Sequence, residues 1–150
     1  MNKIDIEKVK YLIVHHSGMD HGEDPVAEIR KLHVETNGWD DIGYHFIILE
    51  DGTTVDGRPT DSVGAHCLGY NAVSFGVCIA GFGDKATPAQ MFSLGRLYTR
   101  LRMVMPNGLG IKPHNEFKNT ICPGFSLPWE DFIAREQISG LDFDPRAEEA

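Results

Sequence analysis

The apolar positions of this chain fall into short runs separated by polar turns, and the period changes from run to run. Tyr11-Leu12-Ile13-Val14 is a compact stretch of strand-forming residues that stops at His15-His16-Ser17-Gly18. That pattern predicts a buried strand whose polar end emerges from a sheet. A second strand is predicted over 43–49, with Asp51-Gly52 as a hairpin turn and Thr53-Thr54-Val55 returning from it. A third is predicted over 74–80, closed by Gly81, and a short one over 111–114. Helical spacing alternates with these runs. Asp24-Pro25 reads as an N-cap with Pro at the first helical position, followed by a stripe of Ala27, Ile29, Leu32 and His33 up to Asn37-Gly38. Thr87-Pro88-Ala89-Gln90 places cap, Pro and capping-box Gln in register. Met91, Leu94, Leu97, Tyr98, Leu101 and Val104 then follow as a core face, until Pro106-Asn107-Gly108 ends the helix. A last helix is expected over 127–135 behind Ser126.

Strands alternating with helices predict an α/β fold, with a central mixed, at least partly parallel sheet flanked by helices. With no repeat and no linker, a single domain spans 1–150, with its core at about 9–136 and a loose acidic tail over 140–150. Composition narrows the function. The 150 residues are 41% hydrophobic and 24% charged, ordinary for a globular domain. No apolar run approaches the ~18 residues of a membrane helix. A formal charge of −8 argues against a nucleic-acid partner. Residues 1–10 show no signal-peptide pattern, so synthesis in the cytoplasm is expected. Three cysteines in that compartment argue against a disulfide framework.

The chemistry sits where the histidines fall. His15 or His16 ends the first strand, and ligands of α/β sheets bind beyond strand ends. His114 and Cys122 are joined by a loop able to fold back and present both side chains to one point. Imidazole and thiolate are zinc donors, and a catalytic zinc keeps one position for water; two surface histidines and a buried thiol is the plainer reading. The chain lacks C-x-x-C, H-E-x-x-H, G-x-S-x-G, a P-loop and G-x-G-x-x-G. His66, in a polar Gly-flanked loop, reads either as a groove wall or as an ordinary surface position.

Six blocks then run in order along the chain: Val14-His15-His16-Ser17; the run from Gly38-Trp39 to Gly43-Tyr44-His45-Phe46; Val63-Gly64-Ala65-His66 with Gly69-Tyr70-Asn71; Ser74-Phe75-Gly76-Val77; Thr87-Pro88-Ala89-Gln90; and His114 leading to Cys122-Pro123-Gly124-Phe125. Together they resemble the zinc-dependent N-acetylmuramoyl-L-alanine amidases, the family of T7-type phage lysozymes and peptidoglycan recognition proteins. The resemblance implies one Zn²⁺ per chain on His15, His114 and Cys122, with His15 selected over His16 by the family's H-x-S/T pattern. It implies Tyr44 and Thr120 as catalytic groups and His66 and Asn71 on the substrate groove. Thr120 stands where T7-type lysozymes have Lys; Lys118 is near but out of register. His16 and His45 should face away from the site, since neighbouring strand side chains diverge. The implied activity is hydrolysis of the amide between N-acetylmuramic acid and L-alanine in peptidoglycan, by a monomeric phage or prophage endolysin that reaches the periplasmic wall after release. The rival readings are a non-catalytic peptidoglycan-binding module and a protein-regulatory relative on the same fold.

Overall fold

The computed structural model describes residues 1–126; the expected helix over 127–135 and the acidic tail lie outside the described residues. Five strands form one sheet in the order β3-β2-β4-β1-β5. These are β1 (Tyr11–His16), β2 (Phe46–Ile48), β3 (Thr54–Asp56), β4 (Ser74–Ile79) and β5 (Gly110–Pro113). β1 lies between β4 and β5, parallel to both, and β2 is parallel to β4. Only β3 is antiparallel, paired to β2 through the Asp51-Gly52 turn. The mixed, partly parallel sheet of the sequence reading is therefore present, and each of its three parallel pairings involves β1 or β4.

Strand alternation divides the sheet into two faces. Leu12, Val14, Phe46, Ile48, Phe75, Val77 and Ile79 share one core with Leu94 and Tyr98 of helix α2 (Pro88–Val104). Ile47 and Cys78 point the other way, onto Ile29 of helix α1 (Pro25–Lys31) and Ile42. α2 begins with the full capping box: Thr87 accepts from Gln90 N–H, and the Gln90 side chain accepts from Thr87 N–H. Such a cap is worth about 1 kcal/mol. Met91, Leu97 and Leu101 pack partly buried against the α2 core as expected. Val104 does not; it is 70% exposed. The helix ends at that residue, and Met105, the next one, closes the core in its place.

Two elements differ in extent from the sequence reading. The predicted strand over 43–49 pairs regularly only over Phe46–Ile48. Gly43, Tyr44 and His45 spend their carbonyls on Ala65, Arg58 and Gly57 N–H groups instead, which pulls them out of the ladder. The first helix does run to Thr36, but its last five residues, Leu32–Thr36, widen into a π turn. Asn37 N–H there reaches back to Leu32 O.

Candidate metal centre

The parallel register places two histidines side by side. Val14 pairs with Pro113, so the next residues, His15 and His114, stand together where β1 and β5 leave the sheet. Their rings lie 4.4 Å apart between centroids. Cys122 returns from the following loop, with Sγ accepting from His16 N–H at 3.3 Å and standing 3.8 Å from His15 Nδ1. One donor atom from each of His15, His114 and Cys122 falls within 4.8 Å of the other two. The chain therefore carries a His-His-Cys cluster able to hold a metal ion. It sits in a groove of about 880 Å³ whose walls include His33, Trp39, Tyr44, Leu68 and Lys118.

Hydrogen bonds beneath the cluster fix the tautomer of His15. Ser74 Oγ–H donates to Tyr70 O at 2.7 Å, which leaves the Ser74 oxygen to accept from His66 Nε2–H, 3.3 Å away. His66 Nδ1 is then an acceptor, and His15 Nε2–H donates to it at 2.9 Å. The Nδ1 lone pair of His15 is left free and faces Cys122. Metal-binding histidines characteristically hold their second ring nitrogen in this way. The close approach is possible because β4 carries a glycine below: a Cβ on Gly76 would lie 2.6 Å from the His66 ring.

The cluster fits a zinc ion on its own chemistry. His114 Nδ1 is buried and has no hydrogen-bond partner among the described residues; an orphaned buried nitrogen of this kind calls for a ligand. Burial, reinforced by His66 and His114, holds His15 well below the usual imidazole range. Burial, reinforced by Lys118, also lowers His114. Both rings are neutral near pH 7, the state a metal requires. Burial pushes the Cys122 thiol up to about 11, opposed by the hydrogen bond from His16 N–H; a coordinated cation reverses that shift and takes the thiolate. Two imidazoles and one thiolate make a zinc donor set with a position to spare.

The remaining candidates distribute as follows. Tyr44 packs its ring 5.1 Å from that of His15 and lines the groove. Burial, then Cys78 and Cys122, raise its hydroxyl well above its usual pKa, so it is a proton donor and not a base. Thr120 lines the groove and its Oγ1 accepts from Cys122 N–H at 3.2 Å. Asn71 Oδ1 accepts from His66 N–H and Cys67 N–H at 2.9 and 2.8 Å, organising the loop that carries His66. His66 borders the groove, but its ring nitrogens are spent on His15 and Ser74. His16 turns to the far side, where Nδ1 accepts from Gly83 N–H at 2.9 Å. His45 is fully buried between Ser62 O and Gly76 N–H.

Sequence reasoning missed two groups. Arg58 is buried and donates to Ile42 O, Val63 O and Asp41 O at 2.9–3.0 Å, tying together the loops that shape the groove. Its only mark in the sequence is its place just after the hairpin. His33 accepts from Gly43 N–H at 2.9 Å and packs its ring, tilted, against that of Trp39 with centroids 4.7 Å apart. The sequence reading placed it only in the stripe of the first helix; the structure also puts it on the groove wall.

The family model for N-acetylmuramoyl-L-alanine amidase (Amidase_2) matches residues 5–125, and the chain belongs to this family. The endolysin of Escherichia phage T7 is 44% identical over 114 residues, covering 70% of this chain and 74% of its own. Among solved structures, the N-acetylmuramoyl-L-alanine amidase LysC from Clostridium intestinale superposes with a TM-score of 0.75 at 34% identity, over 91% of both chains. Peptidoglycan recognition protein LE, in complex with the monomeric diaminopimelic acid-type peptidoglycan tracheal cytotoxin, gives a TM-score of 0.72 at 27% identity. It covers 81% of this chain and 77% of its own.

Proposed function

We infer that the protein is a zinc-dependent N-acetylmuramoyl-L-alanine amidase that cuts the amide between the lactyl group of N-acetylmuramic acid and L-alanine, and that it works as a monomeric phage or prophage endolysin on the bacterial wall. The observation that carries this reading is the convergence of His15, His114 and Cys122 at the base of an open groove. Bound there, zinc supplies a Lewis acid for the amide carbonyl and a nucleophilic water at neutral pH. The chain's own groups do the rest. The hydrogen-bond chain from Tyr70 O through Ser74 and His66 orients His15. Tyr44, held protonated by burial, donates to the oxygen on which negative charge develops. Thr120 stands beside Cys122 as a second hydroxyl for the same task. Lys118 is the one charged side chain on the groove wall among the described residues, suited to the carboxylates of a stem peptide.

Mass analysis of digested peptidoglycan tests the reading. Free stem peptides on intact glycan strands are expected, with about one zinc per chain, loss on chelation and recovery on adding zinc. Cut glycan strands, or full activity after exhaustive chelation, would overturn it. A non-catalytic binding module has no use for the thiolate donor that Cys122 keeps in place.

A further inference from the structure

The segment between β1 and α1 holds a second polar chain that shares no residue with the metal donors. Ser17 Oγ lies 2.6 Å from His21 Nε2, and His21 Nδ1 lies 2.7 Å from Glu28 Oε2. The other carboxylate oxygen of Glu28 accepts from Gly22 N–H at 2.8 Å. Each member is set by local structure. Ser17 is pinned against the end of β4 by its N–H on Ile79 O and by Gly81 N–H, which donates to Oγ at 2.8 Å. Glu28 sits in the first turn of α1, behind the Asp24 cap and Pro25. The His21 side chain is 6% exposed, with both ring nitrogens engaged.

The direction of this chain follows from its end. The His21 hydrogen bond, then Gly22 N–H, hold the Glu28 carboxyl below its usual range, so it is an acceptor at neutral pH. His21 Nδ1–H therefore donates to it, and in the neutral ring the Nε2 lone pair faces the Ser17 hydroxyl at 2.6 Å, closer than Gly81 O, the other acceptor for that proton, at 3.3 Å. A hydroxyl, a neutral imidazole positioned to take its proton, and a carboxylate that fixes the tautomer are the arrangement that makes a serine nucleophilic. Ser17 is partly exposed and opens onto the groove, while His21 backs onto a separate cavity of about 240 Å³.

We propose that Ser17, His21 and Glu28 form a second, metal-independent nucleophilic site that hydrolyses short carboxylic esters entering from the groove. The Ser17 oxygen attacks the ester carbonyl carbon and its proton passes to His21 Nε2. The ester C–O bond breaks and the alcohol leaves with that proton. Water then attacks the acyl group on Ser17, giving a proton to His21 that returns to the serine oxygen as the acid departs. The net change is ester plus water to acid plus alcohol. Esters are the matched class because an alcohol leaves more readily than an amine. The proposal goes beyond the amidase reading and shares only the groove with it.

The test uses the full chain, zinc-loaded and again with excess chelator, treated with a fluorophosphonate probe and mapped by peptide mass. p-Nitrophenyl acetate turnover is followed in parallel. An adduct on Ser17 is expected in both states, with ester turnover surviving chelation. His21→Gln and Glu28→Gln should each slow labelling on the order of 10²–10⁴-fold, with folding checked by circular dichroism. Should His21→Gln fail to fold, the half-exposed Glu28→Gln carries the same comparison. No adduct on Ser17 in the folded protein, or labelling indifferent to these substitutions, overturns the proposal. Failure of the zinc-loaded protein to digest walls, with Ser17 labelling intact, would count against the amidase reading alone.

Discussion

The two faces of the sheet are built from alternate residues of the same strands. On the α2 face, Leu12, Val14, Phe75, Val77 and Ile79 meet Leu94 and Tyr98 in an apolar core. On the opposite face the same strands contribute Ile13, His15, Ser74, Gly76 and Cys78. Large apolar side chains fill the first face. The second uses small residues on β4 to make room for imidazoles, and its apolar cluster of Ile29, Ile42, Ile47 and Cys78 is correspondingly small. Stability and chemistry are thus separated by the pleat of one strand: Val14 belongs to one role and His15, its neighbour, to the other.

The sharpest way to break this division is Cys122→Ser. It should remove metal and wall digestion together while leaving the α2 core untouched, because a hydroxyl is a far poorer zinc donor than a thiolate. Elemental analysis beside a turbidity assay reads both, and retained zinc with lost activity would contradict the ligand role. Tyr44→Phe acts on the same face without touching the donors. Turnover should fall by roughly 10²–10³-fold, the usual loss for one oxyanion donor, at unchanged zinc content. Near-wild-type turnover at matched zinc would move that role to another residue.

Leu94→Ala probes the other face. Emptying this fully buried position should destabilise the fold by about 2–5 kcal/mol. Turnover per folded molecule should stay at the wild-type level; a large fall in kcat would show that the faces are coupled. Acid separates them more gently. Burial lowers His45 to about 4, so the native state keeps it neutral while the unfolded chain takes up its proton below about pH 6.5. That contribution is complete above pH 6.5 and is lost as pH falls through about 4. Urea midpoints of the zinc-free protein should decline across this window, and a flat profile would deny it.

The two faces were also unequally legible in the sequence. The α2 face could be read from spacing alone, because β1, β4 and the capping box at Thr87 and Gln90 follow local rules. Val104 escaped because helical spacing does not say where the helix stops, and past that point Met105 fills the core instead. On the other face, spacing left His15 and His16 open; the family pattern chose between them, and the pleat puts them on opposite sides. The bond of His66 to His15 and those of Arg58 to Ile42 O and Asp41 O join residues 16–51 positions apart, so no local period announces them. The His21 relay is local, and its spacings of four and seven are those of a helix face, but Ser17 and His21 lie ahead of α1, so a helical reading of that spacing does not apply to them.

Gln90 does more than complete a cap. Its side-chain amide donates both to Ile48 O, at the end of β2, and to Ala80 O, just past the end of β4, at 3.1 and 3.0 Å. A single buried amide thus clasps two parallel strands where the ladder would otherwise fray, and it does so from the first turn of the helix that covers them. The start of α2 cannot unwind without letting those strand ends part, nor can the strands part without uncapping the helix. Helix and sheet are therefore bound into one unit of opening at the rim of the sheet, and the rigidity of that rim is inherited by the loops that leave it.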